Sequence, residues 1–385
     1  MKRSRLMRAA KIAVLVCAII VIGLGPEARA QAQTRITVPG AGPLYYPNFV
    51  AKLPLGRLYF FGTNEASGPP LSILAGYDLL NHQIAENWFP GTTAQVVNYP
   101  ASMGLLSFNL AAPGVDDAVA MGRSSLDDQI RNAVAGGDPV VVAALSEGTL
   151  VVNRELAKLA TSSNAPPADL VSFAMYASPE LGFASIYLPV GAWVPLMKYT
   201  AHDLADSQYD VSVVFHQYDF WGDPPDRPWN LLAMANSLAG MAYFHDATPL
   251  ASMSDAVVVS KVTSDLGGTT TTFMIPSPTL ALLKPLQQLG MPRAAVDALN
   301  SVLKPIVDSG YSRLTPAAGP YVSHGRLAFK PRAATTGQVV RGSRIAGPRE
   351  RVTSTRRPEA VTERSAAPPR TIGHRTPERS ARAAS

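Results

Sequence analysis

Val140–Gly148 reads VVVAALSEG, and this stretch decides the fold. Pro139–Leu145 is an unbroken aliphatic, largely β-branched run, the pattern of a strand buried on both faces of a parallel sheet. Ser146, Glu147 and Gly148 follow at once, and helical spacing resumes over Thr149–Thr161. A strand that turns sharply into a helix lifts the hydroxyl of the turn serine clear of the sheet edge. Strand and helix pass closely only if small residues stand two positions before and after that serine; here they are Ala144 and Gly148. The usual residue at the first is glycine, so Ala144 is a departure. A serine between strand and helix is also an ordinary N-cap, so the pentapeptide needs partners before it reads as a nucleophile.

Working outward, strand-like and helix-like stretches alternate. Arg57–Phe61, Ala94–Tyr99, Asp169–Ala174 and Asp210–Gln217 read as further strands. Ser124–Ala135, with Ser124 or Ser125 as N-cap and acids in its first turns, reads as a helix, as do Trp229–Ala242, Leu280–Leu289 and Arg293–Val307. Alternation of this kind predicts an α/β fold: one mostly parallel sheet with helices on both faces. No linker-like composition interrupts 40–330, so 31–330 is expected to form one domain.

The chain has 385 residues and a net charge of +6, but the charge is unevenly placed. Residues 1–30 carry +5, residues 331–385 carry +8, and residues 31–330 carry −7. The middle lacks the basic footprint of a nucleic-acid-binding domain, and no nucleic-acid partner is expected. Residues 1–30 have a basic start, a thirteen-residue apolar run at Ile12–Leu24, and small residues at Ala28 and Ala30. That is the layout of a secretory signal, with an uncleaved N-terminal anchor as the alternative. Cys17, the one cysteine, lies in that run. Cleavage after Ala30 leaves no thiol, which excludes disulfides, thiolate metal sites and a cysteine nucleophile. The expected location is the cell envelope, outside the cytoplasmic membrane. Residues 331–385 are rich in Arg, Pro, Ala, Ser and Thr without aromatics, and read as a disordered basic tail suited to anionic wall polymers or headgroups. His and carboxylates do not converge at ligand spacing, and no Gly-rich phosphate loop precedes a Lys, so neither metal nor cofactor is expected.

A serine hydroxyl needs a histidine base, itself oriented by a carboxylate. In this layout the chain order is serine, acid, histidine. Asp219 follows the strand at Ser212–Gln217, and Asp223 lies four residues further on in a Gly-Asp-Pro turn; either fits the acid. Among the histidines beyond them, His374 lies in the tail, leaving His245 and His324. For the oxyanion, one donor is the backbone N–H of Glu147. The other is expected after an early strand, at Thr63 or Asn64 in Gly62-Thr63-Asn64. Tyr187–Met197 and Asn87–Phe89 are apolar stretches that suit an acyl channel or a membrane-facing cap.

The chain resembles the PE-PPE domain family of serine α/β-hydrolases, related to cutinases and lipases. The resemblance rests on Phe61-Gly62-Thr63, Val97–Ala101, Ala144–Gly148 and Gln217-Tyr218-Asp219, then on Pro228–Ala233 running through Asn236, Gly240 and His245, and on Val307–Tyr311. It covers roughly 50–315. It implies an α/β-hydrolase fold and a triad of Ser146, Asp219 (with Asp223 as rival) and His245. It also implies action on lipid acyl esters, by hydrolysis or by moving acyl chains between envelope glycolipids of the trehalose-ester type. Partners are then an acyl-lipid or glycolipid substrate and a membrane or cell-wall surface. The competing expectation is a non-catalytic lipid-binding or adhesion protein on the same scaffold.

Overall fold

Eight strands line up in the order β12-β8-β9-β7-β4-β3-β1-β2. In chain order these are β1 (Thr34–Val38), β2 (Thr93–Val96), β3 (Val140–Leu145), β4 (Val171–Tyr176), β7 (Val211–His216), β8 (Val257–Thr263), β9 (Thr269–Ile275) and β12 (Gln338–Val339). Two short ribbons stand apart, β5 (Trp193–Val194) with β6 (Tyr199–Thr200) and β10 (Tyr321–Ser323) with β11 (Arg326–Ala328). The computed structural model describes residues 34–41, 77, 79–107 and 112–329, with the backbone of 338–339. By its contacts the chain divides into 1–349 and 350–385, and every described residue lies in the first unit.

From β2 to β9 every pairing is parallel; β8 and β12 add an antiparallel edge. The expected mostly parallel sheet is therefore present. Alternate residues feed two cores, as strand geometry requires. Ile36, Val142, Ala144, Phe173 and Met175 face one side, against Val119, Leu126 and Ile130 of α1 (Val115–Val134) and Val152 and Leu156 of α2 (Glu147–Thr161). Val141, Ala143, Leu145, Tyr176 and Val214 face the other, against Leu80, Ile84, Trp88 and Phe89. A third cluster joins α3 (Leu231–Phe244) and α4 (Arg293–Asp308) through Ala233, Val296 and Val307.

Several expectations shift. The helix read from Ser124 starts at Val115, behind Gly114, with Asp116 and Asp117 in its first turn. Ser124 is exposed mid-helix, so its capping tendency goes unused. Leu280–Leu289 is two short pieces, a 3₁₀ turn at Ala281–Leu283 and a helical turn at Lys284–Gln288. In Asn87–Phe89, Trp88 and Phe89 build core instead of a channel while Asn87 is exposed: Trp88 packs edge-on against Tyr176 and Phe273. β1, β8 and β9 stand in addition to the strands that the sequence predicts. Arg57–Phe61 and residues 1–30 lie outside the described residues, as does 331–385 apart from β12, which pairs with Val257-Val258. Among the described residues, no helix is long and apolar enough to cross a membrane.

The chain leaves β1 for β2 on one side and returns to β3 on the other. That reversal opens a crevice at the carboxyl ends of β1 and β3, the place where parallel sheets of this kind hold ligands.

Candidate active site

Ser146 stands at the end of β3, in that crevice. Its φ of 51° and ψ of −121° put an L-residue where only glycine is comfortable. Its N–H donates to the Tyr176 carbonyl at 2.9 Å, so the turn is anchored to β4. Its side chain makes no capping bond to α2, so the plain N-cap reading fails. The tightness explains the small neighbours. A Cβ on Gly148 would stand 2.3 Å from the Val38 carbonyl oxygen, and one on Gly40 would stand 3.0 Å from the Ser146 Cβ. Ala144 is fully buried with its methyl in the first core, so the departure from glycine is accommodated.

His245 caps the C-terminal end of α3, and its Nδ1–H donates to Asp219 Oδ2 at 2.8 Å. That bond leaves Nε2 as the free lone pair. Asp219 is fully buried and also accepts the N–H of Trp221 at 3.2 Å and of Gly222 at 3.0 Å. Burial disfavours the charged imidazole, but the Asp219 carboxylate, helped by Asp246, outweighs it and holds the His245 pKa above its ordinary value. The pairing depends on α3 lying against the loop after β7. A Cβ on Gly240 would stand 2.1 Å from the Tyr218 carbonyl oxygen, so glycine permits the approach. Asn230 caps α3 through the Ala233 N–H, and Asn236 accepts from the Leu282 N–H. The run Asn230, Asn236, Gly240, His245 thus spaces one helix start, one tether, one contact and one imidazole.

Asp223 goes elsewhere. Its carboxylate takes Nε and Nη2 of Arg313 at 3.1 and 2.5 Å and the Tyr218 N–H at 2.9 Å. Burial, opposed by Arg313, leaves its carboxyl above the ordinary range. His324 is also elsewhere, facing Asp203 at 3.3 Å on the surface.

Two cavities meet at Ser146. One of about 80 Å³ is shared by Ser146, His245, Gly40, Tyr77, Trp221 and Asp246. The other, about 270 Å³, is apolar, with Met103, Leu150, Phe183, Leu188, Val194 and Met197 in its wall. The stretch Tyr187–Met197 therefore does contribute to a channel-like space. Ala41 and Met103 line both cavities.

For the oxyanion, the backbone of Glu147 is in place at the start of α2. Its carboxyl is buried, accepts the Ser102 N–H at 3.2 Å, and is pushed well above the carboxylate range by burial. Thr63 and Asn64 lie outside the described residues. Among the described residues, the early-strand segment seen against Ser146 is Gly40-Ala41, just after β1. Its sequence signal was present: alternating Thr34–Val38 followed by Pro39-Gly40-Ala41-Gly42. Among the described residues no group of His, Cys, Asp or Glu is arranged to hold a metal ion.

The family profile described as the PE-PPE domain matches residues 90–312. The uncharacterized PPE family protein PPE63 of Mycobacterium tuberculosis is 51% identical over 300 residues, covering 78% of this chain and 59% of that protein. The SL1278 acyltransferase Chp1 of M. tuberculosis is 35% identical over 80% of this chain and 70% of its own length. The diacyltrehalose acyltransferase Chp2 of the same organism is 35% identical over 62% of this chain and 70% of its own. The chain therefore spans somewhat over half the length of the first of these relatives.

Proposed function

Since the chain belongs to the PE-PPE domain family, we propose that it is a serine enzyme acting on lipid acyl esters, by transfer to a glycolipid-type acceptor or to water. The observation that carries this reading is one cavity shared by a strained turn serine, Ser146, and a histidine whose other nitrogen is tied to a buried carboxylate.

In this reading Ser146 Oγ attacks the ester carbonyl carbon while Nε2 of His245 takes its proton. Asp219 holds the imidazole in the required tautomer and stabilises its charge. The oxyanion is met by the Glu147 N–H, with the Gly40-Ala41 backbone as the source of the second donor. His245 then gives its proton to the departing alkoxide, leaving an acyl-Ser146 ester with its chain in the apolar cavity of about 270 Å³. An acceptor hydroxyl or water enters from the smaller cavity, loses its proton to His245 and releases the chain. Trp193 and Leu196, 59% and 58% exposed, belong to the same segment as the cavity residues Val194 and Met197 and give it an apolar outer face for a lipid surface. The N-terminal 1–30 and the basic 331–385 support an envelope location outside the cytoplasmic membrane. The acyltrehalose relatives favour a trehalose-type glycolipid as substrate.

The test is covalent. A fluorophosphonate probe labels Ser146 of the folded wild-type protein, and Ser146→Ala abolishes both labelling and p-nitrophenyl ester turnover. Folded wild type that takes no label would sink the reading.

A further inference from the structure

The two cavities at Ser146 differ in chemistry. The larger has an apolar wall and suits a chain; the smaller carries the polar groups. In the smaller, His245 is committed to Asp219 through Nδ1, and Tyr77 spends its hydroxyl proton on the Gly40 carbonyl at 2.8 Å. Asp246 remains. It follows the histidine directly, lines the cavity and is half-buried. Among the described residues no hydrogen bond is made to its carboxylate. Burial pushes its carboxyl above the ordinary range, with His245 opposing and Asp219 adding to the rise.

A half-buried carboxylate without donors carries an uncompensated desolvation cost. It suits a place where a ligand supplies the donors. An acyl chain has none; a hydroxyl-bearing acceptor has several. A space of about 80 Å³ has room for the hydroxyl-bearing edge of a sugar.

We propose that Asp246 is a specificity-determining residue that accepts hydrogen bonds from a polyhydroxy acceptor in the small cavity and aims one of its hydroxyls at the acyl group on Ser146. This rests on the acyl-enzyme reading above and deepens it. In the step concerned, the aimed O–H gives its proton to Nε2 of His245 and its oxygen forms the new ester bond to the acyl carbon. The bond from that carbon to Ser146 Oγ breaks, and Oγ regains the proton from His245. Asp246 stays a carboxylate throughout and decides which hydroxyl competes with water.

The experiment acylates the full chain with a p-nitrophenyl ester in the presence of trehalose, glycerol or 1-butanol, and measures acceptor ester against free acid. Wild type should form sugar and glycerol esters at lower acceptor concentration than butyl ester. Asp246→Ala should lower the ester-to-acid ratio for trehalose and glycerol at least tenfold, raise the acceptor KM, and change the butanol ratio less than twofold. Asp246→Asn, which keeps the shape and one acceptor oxygen, should fall between and serves if the alanine protein does not fold. Equal losses for butanol and the polyols, or a shift confined to the pH profile of p-nitrophenol release, would overturn the proposal. Free acid alone with every acceptor also overturns it, while leaving a hydrolytic Ser146 intact. Failure of fluorophosphonate labelling would instead overturn the reading beneath it.

Discussion

The loop after β7 has two sides, and the same kind of residue does different work on each. On one, Asp219 meets His245, a partner whose charge changes near neutral pH. On the other, four residues on, Asp223 meets Arg313, whose charge is permanent. Both carboxylates are buried and both take backbone N–H bonds. What separates them is the partner: Asp219 orients a titratable imidazole, whereas Asp223 holds a fixed charge and clamps the segment bearing Arg313 to the loop. In the proposed reaction, two aspartates alike in burial thus divide chemistry from stability.

The strongest way to break that division is to exchange its members. Asp219→Asn should lower kcat for ester turnover about 10³–10⁴-fold with the protein folded, because the amide favours the wrong imidazole tautomer; steady-state kinetics with circular dichroism reads both. Equal losses from Asp219→Asn and Asp223→Asn in folded protein would erase the distinction. Asp223→Ala strands the Arg313 guanidinium in a site where both partners are nearly buried. It should cost about 3–5 kcal/mol in urea unfolding, while kcat per folded molecule falls less than tenfold. Gly240→Ala probes what the two sides share, the approach of α3 to Tyr218. Forcing a methyl into that contact should cost about 1–3 kcal/mol of stability and also lower kcat, since His245 moves with the helix. The smallest effect is a titration. With its pKa raised, His245 is charged to a higher pH than a free histidine, so the acid limb of kcat/KM should have its midpoint above 6.5. In Asp219→Asn the midpoint of the residual activity should move down, because burial then meets less opposition. The sign for folding is opposite to that for activity. The stabilisation from charged His245 is complete below 6.5 and fades as pH rises through the folded value, as activity appears.

The same loop shows where sequence reasoning reaches and where it stops. Val140–Leu145 was legible because a fully buried strand leaves an unmistakable aliphatic run. Preferring His245 to His324 rested on the family resemblance, while the need for an aspartate and a histidine after Ser146 was legible from the layout. The choice between Asp219 and Asp223 was not, since it turns on Arg313, 90 residues away in the chain. β8 is Val-rich but half-exposed to exposed, and β9 opens on four threonines, so neither carries the buried pattern of a core strand. β1 is five residues of weak alternation a short way beyond the apolar N-terminal run, and with it the Gly40-Ala41 segment against the serine escapes a reading of the sequence. The helix start at Gly114 has no capping side chain to announce it, whereas Ser124 offered one in the wrong place.

Ser146 sits at a φ of 51°. A conformation of that kind costs an L-residue about 1–3 kcal/mol, and the surrounding sheet bears it. Glycine at this position would relax the turn and should raise the melting temperature while ending catalysis. The chain is therefore less stable than its own scaffold allows, and the shortfall is concentrated at one residue. On the proposed reading, the strain at Ser146 is a stability–activity trade-off held in a single backbone conformation.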